Sequence, residues 1–147
     1  PDATRAPSAP LLREDAGPTS LAALGGPAVI VFWATWCPVC REEMPGVAAL
    51  AERLAGTGAA LVAISVDSGE DALGTVRRHL DAEGFRNLPA IVDAGHATAG
   101  ALGLRGVPTT VFLDAEGQLR GLIEGRALWD EPALAAYALG FAAEAAD

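Results

Sequence analysis

Residues 28–33, Ala-Val-Ile-Val-Phe-Trp, form an unbroken apolar run, and the chain then reads Trp36-Cys37-Pro38-Val39-Cys40 before turning charged at Arg41-Glu42-Glu43. An apolar stretch of this length without alternation fits a central strand buried on both faces. Proline suits the first position of a helix, where a backbone N–H has no partner to lose. The strand is therefore expected to deliver the cysteine pair to the start of a helix over residues 38–55. Pro45 falls inside that helix and should kink it, and Gly56-Thr57-Gly58 should stop it.

The rest of the chain alternates in the same manner. Residues 1–10 (PDATRAPSAP) read as a flexible N-terminal tail, which leaves residues 11–147 as one domain. Leu11-Leu12 can begin a short edge strand. Residues 19–24 can form a helical turn capped by Thr19 or Ser20 and ended by Gly25-Gly26-Pro27. A second buried strand is expected over 61–66, followed by an amphipathic helix over 70–83 with Leu73, Val76 and Leu80 on its apolar face. A short strand over 88–92, a short helix over 95–103 and a hairpin of 109–113 with 119–124 come next. A last helix is expected over 130–146, with Asp130 as its N-cap. The order predicts an α/β fold whose mixed central sheet, with parallel members, is flanked by helices.

The composition supports such a core. Of 147 residues 51% are hydrophobic, enough to fold without a metal or a staple. Asp and Glu number 19 against 10 Lys and Arg, a formal charge of −9. That balance argues against a nucleic-acid partner and against a polybasic membrane anchor. All the basic residues are arginine, which reads as codon bias. The longest apolar runs, near 27–34 and 59–66, have strand length, whereas a spanning helix needs about 20 apolar residues, so a soluble domain is expected.

Cys37 and Cys40 are the only cysteines. A disulfide between them closes a very small loop and constrains the unfolded chain little. Zinc takes four ligands as a rule, and only His79 and His96 remain beside the pair. Two thiolates suit Cu(I) chemically. A redox pair is the reading that the spacing favours, and no cofactor is expected. At a helix mouth the unpaired N–H groups favour a thiolate, so Cys37 is expected to be the attacking, partly exposed sulfur with a depressed pKa. Cys40, one turn inside, is expected to be shielded and to resolve the mixed disulfide that Cys37 forms. Glu43 lies three residues beyond Cys40, near the same helix face. If buried, its carboxyl would titrate high and could take the Cys40 proton; the alternative is a solvated glutamate like Glu42. Trp36 is expected to flank the site, while Trp33 and Met44 fill the core and Trp129 packs near the last helix.

The stretch FWATWCPVCREEMP resembles the active-site segment of the thioredoxin superfamily, and more narrowly the TlpA/ResA/CcmG-like branch of periplasmic thiol–disulfide oxidoreductases. Phe32, Trp33, Ala34, Trp36, Cys37, Cys40, Arg41, Glu43 and Pro45 carry the match. Gly106-Val107-Pro108-Thr109-Thr110 resembles the superfamily's cis-proline segment, and the stretch before it resembles this branch's central insertion. The resemblance covers about residues 11–145. It implies a thioredoxin-like fold with a short N-terminal extension, and a client-binding surface formed by Trp36, Val107 and Pro108. Where many thioredoxins carry a buried aspartate on the strand before the motif, this chain has Val31, which leaves Glu43 to do that work. The implied function is reduction of protein disulfides, in apocytochrome c or in copper-protein and oxidase assembly. A membrane thiol-reductant transporter would act as electron donor. The alternatives are a disulfide-donating oxidase and a Cu(I)-binding adaptor module on the same fold. A periplasmic monomer is implied, soluble by itself or membrane-anchored in its full-length form; a start at Pro1 without methionine suits a trimmed or mature chain.

Overall fold

The computed structural model describes residues 5–15, 17–24 and 27–146. In chain order the elements are β1 (Leu12–Arg13), α1 (Leu21–Leu24), β2 (Ala28–Trp33), α2 (Pro38–Leu54), β3 (Ala60–Ser65) and α3 (Ala72–Ala82). They continue with β4 (Ile91–Val92), a 3-10 turn (Ala94–His96), α4 (Ala97–Ala101), β5 (Thr109–Leu113), β6 (Leu119–Glu124) and α5 (Pro132–Ala146). The strands form one mixed sheet in the order β1-β4-β3-β2-β5-β6. This is the thioredoxin-like α/β arrangement.

β2 lies at the centre, parallel to β3 and antiparallel to β5, with Val31 opposite Ala63 on one side and Thr110 on the other. All its residues are buried, as the run without polar alternation requires. β6 is the last strand of the sheet, paired with β5, and alternates half-buried with exposed positions, the pattern of an outer strand with one wet face. Leu50, Leu54, Met44 and Val47 of α2 and Leu80 and Val76 of α3 join the same core cluster as the β2 side chains. Phe112 of β5 meets Trp129, Tyr137 and Phe141 edge-on, with ring centroids at 6.5, 5.1 and 5.6 Å. That aromatic cluster ties α5 and the segment before it to the sheet.

Several boundaries differ from the sequence reading. Helix α2 ends at Leu54 rather than at residue 55, with Pro45 inside it as expected. The expected helix over 95–103 is a 3-10 turn and then α4, because Gly95 and His96 take left-handed φ of 67° and 58°. The Asp93 side chain enforces this break by accepting from the Thr98 and Ala99 N–H groups at 2.8 Å each. The expected strand over 88–92 shortens to Ile91–Val92. The last helix begins at Pro132, and the carbonyl of Glu131, not Asp130, accepts the Ala135 N–H at 3.1 Å. Within the stretch read as a tail, residues 1–4 lie outside the described residues. Ala6 donates to the Gly117 carbonyl at 2.7 Å and Pro7 accepts from Ala22 at 3.0 Å, so that part is attached to the domain. The expected stop at Gly25-Gly26 also lies outside the described residues.

Phe112→Ala should cost about 3–5 kcal/mol of unfolding free energy, the usual range for emptying a buried aromatic site. Urea denaturation checks this; a loss below about 1 kcal/mol would mean that the aromatic cluster does not hold α5.

Candidate active site

β2 ends at Trp33 and the chain turns through Ala34-Thr35-Trp36, with the Cys37 N–H donating to the Ala34 carbonyl at 3.2 Å. Cys37 is extended (φ −97°, ψ 107°) and is the N-cap of α2. Both facts follow from the next residue: proline disfavours helical geometry in the residue before it and itself fits the first helical position. The Cys37 carbonyl accepts the first helical bond from Arg41 at 3.0 Å. Its Sγ accepts from the Cys40 N–H at 3.1 Å. Sulfur thus occupies the place of a capping oxygen, facing a free donor at the positive end of the helix.

Cys37 and Cys40 are joined as a disulfide with Cα atoms 5.2 Å apart. Cys40 is 1% exposed and Cys37 is 6% exposed. The expectation of a partly exposed Cys37 is not met in the disulfide form, where its sulfur is bonded to Cys40 and also accepts the Cys40 N–H. The side chains on either side stand out instead: Trp36 is 64% exposed and Val39 is also exposed.

Asp67 braces the turn that carries Trp36 and Cys37. Its buried carboxyl accepts from the Thr35 N–H at 2.8 Å, from the Thr35 hydroxyl, and from the Ser65 hydroxyl at 2.6 Å. The sequence reading ends a buried strand at Val66 and assigns Asp67, the next residue, no role. A carboxyl directly after a buried strand that ends beside the motif was the one available signal.

Glu43 is 3% exposed, one helical turn beyond Cys40. Its Oε2 accepts from the Trp129 indole N–H at 2.8 Å and its Oε1 from the Ala127 N–H at 3.3 Å. Burial pushes the carboxyl above its usual 4.5, against the opposing pull of Trp129, Ala127 and the nearby Arg126. Arg126 itself pairs with Glu42 at 3.1 Å. Of the two adjacent glutamates, then, one is solvated and one is enclosed. Trp33 and Met44 lie in the core as expected, and Val31 is buried without a polar partner to offer.

The Val107–Pro108 peptide is cis. Beside it a cavity of about 310 Å³ is lined by Trp36, Phe32, Val66, His96 and Val107 among others. His96 is fixed there by a 2.9 Å contact from Nε2 to the Val66 carbonyl. Trp36 and Val107 therefore share one recess, and Trp36 directly precedes the cysteine that caps α2.

A sheet of this order with a cysteine pair at the head of its central helix defines a thioredoxin-like protein. Residues 3–122 match the AhpC/TSA family, and the chain belongs to that family. It is 32% identical to the thiol-disulfide oxidoreductase ResA of Halalkalibacterium halodurans over 88 residues, 60% of this chain and 48% of that protein. The chain spans about half the length of the curated relatives it matches. Among solved structures, a thio-disulfide isomerase from Thermus thermophilus is 32% identical with a TM-score of 0.72, covering 95% of this chain and 96% of its own. A thiol:disulfide interchange protein of the thioredoxin family from Chlorobium tepidum is 26% identical with a TM-score of 0.69, covering 100% and 99%.

The raised proton affinity of Glu43 has a sign that stability measurements can read. The native state keeps a proton that the unfolded chain has released above about 4.5, so unfolding free energy falls as pH rises through the window between the two values. Glu43→Gln removes that dependence. The wild-type stability relative to Glu43→Gln should therefore decline from pH 4 upward and level off once Glu43 is ionised in both states. A difference that stays constant with pH would show that Glu43 titrates normally.

Proposed function

We propose that the protein is a thiol–disulfide oxidoreductase working through Cys37 and Cys40, and that it acts as a reductant of protein disulfides. The observation that carries this reading is the Cys37 sulfur at the N-cap of α2, receiving the Cys40 N–H at 3.1 Å. In the dithiol form the same position would favour the Cys37 thiolate, the species that attacks a disulfide.

The reaction follows from the roles of the side chains. The Cys37 thiolate attacks one sulfur of a client disulfide, the client S–S bond breaks, and one client thiolate leaves. Cys40 then gives its proton to ionised Glu43 and attacks the Cys37 sulfur of the mixed disulfide. The second client thiolate leaves, and Cys37–Cys40 becomes a disulfide. Two electrons have passed to the client, whose thiolates take protons from water, while the Glu43 proton returns to solvent. An external dithiol restores the Cys37 and Cys40 thiols.

The exposed Trp36 and the recess it shares with Val107 suit an extended client segment, with the cis Pro108 directly after Val107. The net charge of −9 favours clients that are not strongly acidic. Resemblance to the TlpA/ResA/CcmG-like branch supports apocytochrome c or copper-protein assembly clients, a membrane thiol transporter as electron donor, a monomeric state and a periplasmic location. No helix among the described residues is long and apolar enough to cross a membrane.

Cys40→Ser should accumulate mixed disulfides through Cys37, identifiable by mass spectrometry after non-reducing separation. Cys37→Ser should trap none, and both variants should lose insulin reduction by about 100-fold or more, the order of loss expected when a nucleophile or its releasing group is removed. Trapping by Cys37→Ser alone would reverse the two roles. The reduction potential tests direction: a value near about −270 mV or lower supports a reductant, and one near about −120 mV an oxidase.

A further inference from the structure

The segment after β6 reaches back to the active-site helix through Arg126, which pairs with Glu42, and through Ala127 and Trp129, which both reach Glu43. Ala127 and Trp129 both donate to the Glu43 carboxyl, one to each oxygen. Trp129 is a buried side chain whose edge also meets Phe112 at a centroid distance of 6.5 Å. The indole is thus packed against the sheet as well as bonded to Glu43. Gly46, one turn beyond Glu43 on α2, leaves room for it, since a Cβ there would sit 3.0 Å from the Trp129 Cβ.

Glu43 is not sealed by these contacts. A recess of about 190 Å³ is lined by Glu42, Glu43, Arg126, Trp129 and Asp130 among others. The charged and titratable groups around Glu43 are therefore Arg126, Glu42 and Asp130 on the recess side, and Cys40 on its own helix. Arg126 is engaged with Glu42 at 3.1 Å, which leaves the indole as the side-chain donor on Glu43.

We infer that Trp129 is a positioning residue: its indole N–H fixes the Glu43 carboxyl in place and sets the proton affinity with which Glu43 draws the proton from Cys40. The recess provides the way for that proton to reach water. An indole donor stabilises the ionised carboxyl without adding a charge. The donor thereby opposes the rise in proton affinity that burial causes. Replacing the donor by a ring without one should raise the proton affinity further and shift proton acceptance to higher pH. This inference rests on the proposed role of Glu43 as the proton acceptor of Cys40.

The test uses 5,5′-dithiobis(2-nitrobenzoate) and the reduced protein. Cys37 displaces one thionitrobenzoate and holds the other as a mixed disulfide; Cys40 then displaces the second, whose release rate follows the resolving step. In the wild type that rate should show an acid limb belonging to Glu43. Trp129→Phe should move the midpoint of the limb up by about one pH unit, a tenfold change in proton affinity. Glu43→Gln should abolish the limb, and Trp129→Phe in the Glu43→Gln background should add no further change in pH dependence. If Glu43→Gln keeps the wild-type limb, the role of Glu43 fails and this inference with it. If Glu43→Gln removes the limb but Trp129→Phe leaves its midpoint in place, slowing all pH values alike or none, only the positioning role of Trp129 is overturned. A readout on the unaltered ring covers the case in which Trp129→Phe does not fold. The Trp129 indole ¹⁵N–¹H resonance of the wild type should shift with pH at the Glu43 midpoint and should not shift in Glu43→Gln. An indole resonance that is flat with pH in the wild type overturns the inference.

Discussion

The structure of the site depends on one contact, a sulfur atom serving as the cap of a helix. Cys37 Sγ takes the N–H of Cys40, and everything that makes this possible is fixed by neighbours in sequence. Pro38 keeps Cys37 extended, and β2 stops at Trp33, close to the start of α2. Because β2 is the central strand, buried and paired on both edges, the cap cannot drift relative to the sheet. The chemistry assigned to Cys37 therefore rests on the same burial that stabilises the fold.

Around that contact, groups from distant parts of the chain divide the work. Asp67, at the end of β3, holds Thr35 and with it the turn that bears Trp36. Trp129 and Ala127, after β6, hold Glu43. Asp93 and His96 shape the recess on the Val107 side through hydrogen bonds at the start of α4 and to the Val66 carbonyl. Buried polar groups are costly unless paired, and here the carboxyls of Asp67, Asp93 and Glu43 each have hydrogen-bond donors. The sheet supplies rigidity, and these bonded side chains supply placement.

Much of this was legible in the sequence, and the reason is locality. The apolar run 28–33, the Cys-Pro-Val-Cys spacing and the i, i+3 relation of Cys40 to Glu43 involve residues close together in the chain. Backbone preferences and helical period alone fix their arrangement. The alternation of strands and helices likewise pointed to parallel members of the sheet, and the closing hairpin to its mixed character. What was not legible depended on long-range meetings. Trp129 lies 86 residues from the glutamate it binds, and Asp67 lies 32 from Thr35; no spacing rule links such pairs. Trp129 was read as packing near the last helix, which it is, but its indole nitrogen has a second use that only tertiary structure reveals. The broken helix near His96 was missed for a related reason: the Asp93 carboxyl competes for the first N–H groups, and local propensity does not register where a side chain will be aimed.

The most direct test of this account is the acidity of the Cys37 thiol in the reduced protein, read from the rate of alkylation by iodoacetamide between pH 4 and 10 in the Cys40→Ser protein. A helix-capping sulfur should react with a half-point clearly below the value of about 8.5 that belongs to a free cysteine. A half-point at or above about 8.5 would mean that the helix start does not activate this thiol, and the account built on it would be wrong.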